Sequence, residues 1–151
     1  MKATLYGFVL LSVLLGWVGC SSRSVNTEVT RCVYPDSPRT PAPSFICGDS
    51  VSGFPVTVLR SAEPSNAITR DRIQWVLDDQ LLLWSEAWSN EWFESPLEIE
   101  RAQLALMNIL LEDARVVRTR TSPKSFMWLL IGIPYQLDEL EAQLRSVLRE
   151  E

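Results

Sequence analysis

Histidine is missing from all 151 residues, and lysine occurs only at positions 2 and 124. Without an imidazole the chain has no Ser-His-Asp or Cys-His catalytic arrangement and no histidine metal ligand. Basic charge is scarce and almost all arginine, so the formal net charge is −5 and the isoelectric point about 4.8. A surface of that sign repels nucleic-acid phosphates, and no run of basic residues offsets it, so nucleic-acid binding is not expected. Six glycines form no phosphate-cradling loop, and neither a Walker pattern nor a calcium loop occurs. Long apolar runs are missing too. The longest predominantly apolar run, Leu5 to Val18, falls short of the roughly 20 residues a membrane-spanning helix needs.

That short run has a different meaning at the start of a chain. Lys2 precedes it, Gly19 closes it, and Cys20 opens the polar stretch Ser21-Ser22-Arg23-Ser24. A positive n-region, an apolar core and a small residue at the cut are the parts of a signal peptide. A cysteine at the cut is what lipoprotein processing requires, because its thiol receives the diacylglycerol. Residues 1–19 are therefore expected to be a lipoprotein signal peptide and Cys20 the lipidated residue, with the alternatives of an ordinary secretory signal or an uncleaved anchor left open. Several acyl chains on Cys20 would anchor the protein stably where one would not. Ser21 in place of Asp favours the outer membrane as the destination. Residues 20–31 lack hydrophobic periodicity and read as a flexible tether, and 32–151 as one domain.

With Cys20 assigned to lipid, two cysteines remain, Cys32 and Cys47. In an oxidising compartment two such thiols pair. The closed loop of about 15 residues is worth about 3 kcal/mol by the chain-entropy argument. It contains Pro35, Pro38, Pro41 and Pro43 and would be loose without the bridge. The spacing is far from C-x-x-C, which speaks against a redox role. Two buried free thiols are the alternative.

Downstream the hydrophobic period alternates between two and 3.6. Residues 54–61 are β-branched and read as a strand. Ile73, Val76, Leu77, Leu81, Trp84, Trp88 and Trp92 recur at three- and four-residue steps and predict a helix over 67–93. Ser95, Pro96 and Glu98 form an N-cap, first-turn proline and capping-box glutamate for a second helix over 96–113, which carries Leu97, Leu104, Leu106, Met107, Leu110 and Leu111. Residues 115–121 and 126–133 read as a β-hairpin, and 136–149 as a final amphipathic helix. The order predicts an α+β domain, with helices covering one face of a small antiparallel sheet of about three strands.

Two segments carry a family resemblance. Phe45-Ile46-Cys47, Val51-Ser52-Gly53-Phe54 and Val56 to Glu63 form one, and Ala114-Arg115-Val116, Arg120-Thr121-Ser122-Pro123 and Leu129-Leu130-Ile131-Gly132 the other. They resemble the LPP-twenty family of small Gram-negative envelope lipoproteins, to which the flagellum-associated FlgP proteins are related. The chain departs from the pattern at Phe45, at Gly48-Asp49-Ser50 and at Arg60, where the family tends to have Trp, Asp-x-Pro and Gly. The resemblance implies an outer-membrane lipoprotein with a compact α+β domain and no catalytic residues to carry over.

Among residues that could act, adjacent acids such as Asp78-Asp79 point about 100° apart on a helix and read as solvated surface. No catalysis, metal or cofactor is expected. The distinctive feature is the tryptophan stripe Trp84, Trp88, Trp92, whose four-residue steps set three indoles along one helix edge. Either it packs into the core or it forms an exposed ridge against a membrane or partner. Envelope proteins or a second copy are the expected partners. A binding module holding an apolar ligand or a glycan on a Trp-lined face is the alternative function.

Overall fold

The computed structural model describes residues 31–150; the signal segment, Cys20 and the tether up to residue 30 lie outside the described residues. The elements run β1 (Val33–Tyr34), β2 (Ser37–Pro41), a 3-10 turn (Ser44–Cys47), β3 (Val56–Ala62), α1 (Thr69–Trp92), α2 (Pro96–Asp113), β4 (Arg115–Thr121), β5 (Met127–Ile133) and α3 (Leu137–Glu150). The α+β class is as expected, with three helices and two small antiparallel sheets, of two and three strands.

The larger sheet has the order β3-β5-β4, so β5 is central and antiparallel to both neighbours. Its residues are apolar at almost every position because the strand is covered on both faces. On one face Ile131 and Ile133 join Leu81, Leu106, Leu110, Leu140 and Leu144 of the helices in the main core. Cross-strand neighbours extend it, since Val56 lies opposite Ile133 and both Val58 and Val116 lie opposite Ile131. The alternate residues Trp128 and Gly132 meet the segment that precedes β3. Phe54 sits against Gly132 so closely that an added Cβ would lie 3.1 Å from the Phe54 ring and from the Thr57 methyl. Glycine at that position is what admits the covering layer.

That layer is β1, β2, the 3-10 turn and the stretch that leads on to Phe54, a segment whose prolines predict a loop. Cys32 and Cys47 are bonded across it with 5.7 Å between their Cα atoms, an ordinary disulfide separation. Gly48, at a φ of 94°, turns the chain out of the 3-10 segment. Asp36 fastens the layer to the sheet. It accepts hydrogen bonds from the Ser122 hydroxyl (2.5 Å), the Trp128 indole (2.9 Å) and the neighbouring Ser37 hydroxyl (3.2 Å). Partial burial works against the charge, but these bonds outweigh it and hold the Asp36 carboxyl below its usual range.

Local chemistry departs from expectation in two places. Ser95 does occupy the N-cap of α2 and Pro96 its first turn, but the Ser95 hydroxyl makes no capping bond; its backbone carbonyl accepts from Ile99 instead, at 2.9 Å. The reciprocal half of a capping box appears at α3, where Glu139 reaches back to the Gln136 N–H at 3.0 Å. In β4 the register shifts between Val116 and Arg118. This bulge interrupts the simple alternation and lets Val116 and Thr119 lie opposite Ile131 and Leu129 on the same face.

Candidate interaction face

The tryptophan stripe is built by four-residue steps along α1, and the rings stack along the helix. Trp84 and Trp88 have centroids 5.2 Å apart and planes at 13°, while Trp88 and Trp92 are 5.9 Å apart at 15°. Trp84 and Trp88 are buried, 9 % and 8 % exposed, and Trp92 is half-buried against the same core. The core alternative is the one realised. As a candidate interaction face the stripe is corrected, because the helix layer closes over two of its three rings. Ser85 and Ser89, also fully buried, flank the stack with side chains small enough for close approach. The Ser85 hydroxyl donates to the Leu82 carbonyl at 2.9 Å, while the buried Ser89 hydroxyl has no partner.

Beyond the stack lies a concavity of about 470 Å³, lined by Phe93, Glu98, Arg101, Arg145, Leu148 and Arg149. Arg145 lies 4.6 Å over the Phe93 ring, pairs with Glu141 at 2.7 Å, and donates to the Trp92 carbonyl at 2.9 Å. Its donors therefore bind α3 to the C-terminal end of α1. A second tie runs from the segment between β5 and α3 to the end of α2, where the Tyr135 hydroxyl donates to the Asp113 carboxylate at 2.7 Å. That bond, with burial and the charges of Asp113 and Glu112, raises the phenol pKa. A third, on the sheet side, uses Arg60, which donates to the Gln80 side chain at 2.7 Å and pairs with Asp79 at 2.6 Å. All three groups hold elements together. Among the described residues no group of three or more acidic or cysteine side chains could hold a metal ion.

The apolar surface left open is elsewhere on the same two helices. Ile68, Trp75 and Leu82 on α1 and its N-cap, and Leu97, Leu104 and Leu111 on α2, are each more than half exposed. Sequence reasoning grouped the three α2 leucines with Leu106 and Leu110, which are buried. Their angular position was the signal that sets them apart, since at 100° per residue they fall on the helix side roughly opposite Ala102, Leu106 and Ile109. No described helix is long and apolar enough to cross a membrane. The chain matches no family model, no curated protein and no solved structure.

Proposed function

We propose that the chain is an outer-membrane-anchored periplasmic lipoprotein with a structural or interaction role in the cell envelope and no catalysis. Anchoring is supported by the N-terminal pattern, in which Lys2, the uncharged run from Leu5 to Val18 and Gly19 lead to Cys20. The resemblance to the LPP-twenty lipoproteins points the same way. The observation that carries the interaction role is the number of large apolar side chains that α1 and α2 leave open to solvent, Trp75, Leu97 and Leu104 most of all. The Cys32–Cys47 bridge suits an oxidising compartment such as the periplasm. Burial of Trp84 and Trp88 removes the main support for a ligand or glycan held on a tryptophan-lined face.

The deciding measurement is the intact mass of the protein extracted from separated inner and outer membranes, with and without reductant. A chain beginning at triacylated Cys20 in the outer-membrane fraction, gaining two protons on reduction, is the expected result. An unacylated chain in the soluble fraction would overturn the anchor.

A further inference from the structure

We infer that the side of the sheet turned away from the helices docks on anionic phospholipid headgroups, through Arg115, Arg118 and Arg120 of β4 with Lys124 and Arg39 beside them. The occupant is the surface of the leaflet that holds the anchor. The inference therefore deepens the anchored reading proposed above and rests on it.

The register of β4 assembles this face. Arg115, Arg118 and Arg120 lie directly opposite Gly132, Leu130 and Trp128 of β5. Residues opposed in this way in an antiparallel pair share a face. Gly132 and Trp128 face the covering layer, the one against Phe54 and the other bonded to Asp36. All three arginines therefore stand on the covered side of the sheet, in a column about 16 Å long. Strict alternation would have put Arg115 on the face opposite Arg118 and Arg120, and the shift between Val116 and Arg118 brings it round. Because β4 is an edge strand, the layer leaves its column open. Lys124, in the turn that follows, shares a concavity of about 320 Å³ with Arg39 of β2, which carries the basic surface on into the layer. All five basic side chains are exposed.

No carboxylate neutralises the column. The chain holds no acid from Ala114 to Leu137. Arg115 and Arg118 donate to the Ala114 and Val117 carbonyls just before them, each at 2.8 Å. Among the described residues none of the five enters an ion pair. The covering layer has two acids, Asp36 and Asp49, and Asp36 is already held by Ser122, Trp128 and Ser37. The three helices, on the other side of the sheet, carry thirteen acids against five arginines. Charge is thus segregated by layer in a chain whose net charge is −5. One charge is enough to keep an edge strand from pairing with a neighbour. A column of three, with two more beside it, fits an extended anionic surface.

The path of the chain selects that surface. Arg31, the first described residue, leads within two residues into β1 of the covering layer, so the segment that bears Cys20 joins the domain on its basic side. Eleven residues on from Cys20 reach at most about 40 Å, which keeps the face close to any bilayer that holds the cysteine. There each lysine or arginine strengthens attachment to anionic lipid about fivefold. The acidic helices are repelled and turn to the water. A second copy could offer its own acidic helices, but copies held in one leaflet by the same end turn their basic sides to the bilayer and not to one another.

The test takes the chain from Cys20 onward, which keeps every described residue, and couples Cys20 to a maleimide lipid in nanodiscs at one copy per disc. With Cys32 and Cys47 bridged, Cys20 is the single free thiol. This attachment holds whether or not a cell acylates Cys20, so anchor and docking can fail separately. Arginine labelling by phenylglyoxal is followed by mass spectrometry. Arg115, Arg118 and Arg120 should label at least fivefold more slowly when one lipid in three is phosphatidylglycerol than in phosphatidylcholine alone. Salt at about 1 M should remove the difference, and Arg70 and Arg149 on the helices should label alike in both discs. The double variant Arg118→Gln, Arg120→Gln should return Arg115 to its rate in neutral discs with circular dichroism unchanged. Equal rates in the two discs, slowing at Arg70 and Arg149 instead, or protection of Arg115 that survives the double substitution overturns the inference. So does slowing in neutral discs that appears only with two chains per disc, which gives the face to a second copy. Equal slowing by millimolar inorganic phosphate in neutral discs at matched ionic strength gives it to a small anion and overturns the inference as well.

Discussion

At the scale of single residues, the stack of Trp84, Trp88 and Trp92 shows how much an aromatic row can hide. Trp88 stands in the middle, with a stacked ring on either side. Its loss leaves a cavity that Trp84 and Trp92 cannot both collapse into. Trp88→Ala should therefore cost about 3–5 kcal/mol in chemical denaturation, the usual range for truncating a buried tryptophan. The stripe itself was legible in the sequence, but its role was not. Four-residue steps set the rings on one edge whether that edge meets a sheet or water, and only the arrival of residues distant in sequence, such as Leu106, Leu140 and Ile131, distinguishes the two. The exposure of Leu97, Leu104 and Leu111 was masked in α2 by leucines at neighbouring positions that face inward.

The N-terminal layer illustrates the scale of the element. It has two short strands and a single helical turn, too little to hold itself together, and depends on one covalent bond and one carboxylate. Cys32→Ser should lower the stability of the domain by about 3 kcal/mol under non-reducing conditions, as expected for releasing a loop of this length. An unchanged melting temperature would show that the bridge does not staple the layer. Asp36 makes the same attachment sensitive to acid. Its folded pKa is depressed, so its contribution is complete above the unfolded value of about 3.9 and fades as pH falls through the lower folded value. In thermal melts the stability lost by Asp36→Asn should thus be largest near neutrality and shrink as pH falls below the unfolded carboxylate value. A gap that stays constant with pH would mean the charge is irrelevant. Sequence reading found the cysteine pair here and missed the strands, because prolines at 35, 38, 41 and 43 resemble a loop and strands this short are recognisable only by their tertiary contacts.

Over the whole molecule the agreement is greatest where local signals are redundant. The bounds of α2 and β4 coincide with expectation, and those of β3, β5, α1 and α3 differ by one or two residues. Proline at the start of α2 and the Ser122-Pro123 turn after β4 set those limits in the chain itself. The way the layers stack was not written locally, and it follows from β5 being apolar on both faces. The order β3-β5-β4 has a consequence for how the chain folds. β4 and β5 are neighbours along the chain and can close a hairpin within microseconds. β3 leaves the ribosome first, and the only partner it has in its sheet is the last strand to be made. Until α1, α2 and β4 have followed, β3 presents two unpaired edges, and the segment that will cover the sheet has no sheet to cover. The contact that completes this fold is long-range and must come late, so the nascent chain depends on being kept from its neighbours until β5 arrives.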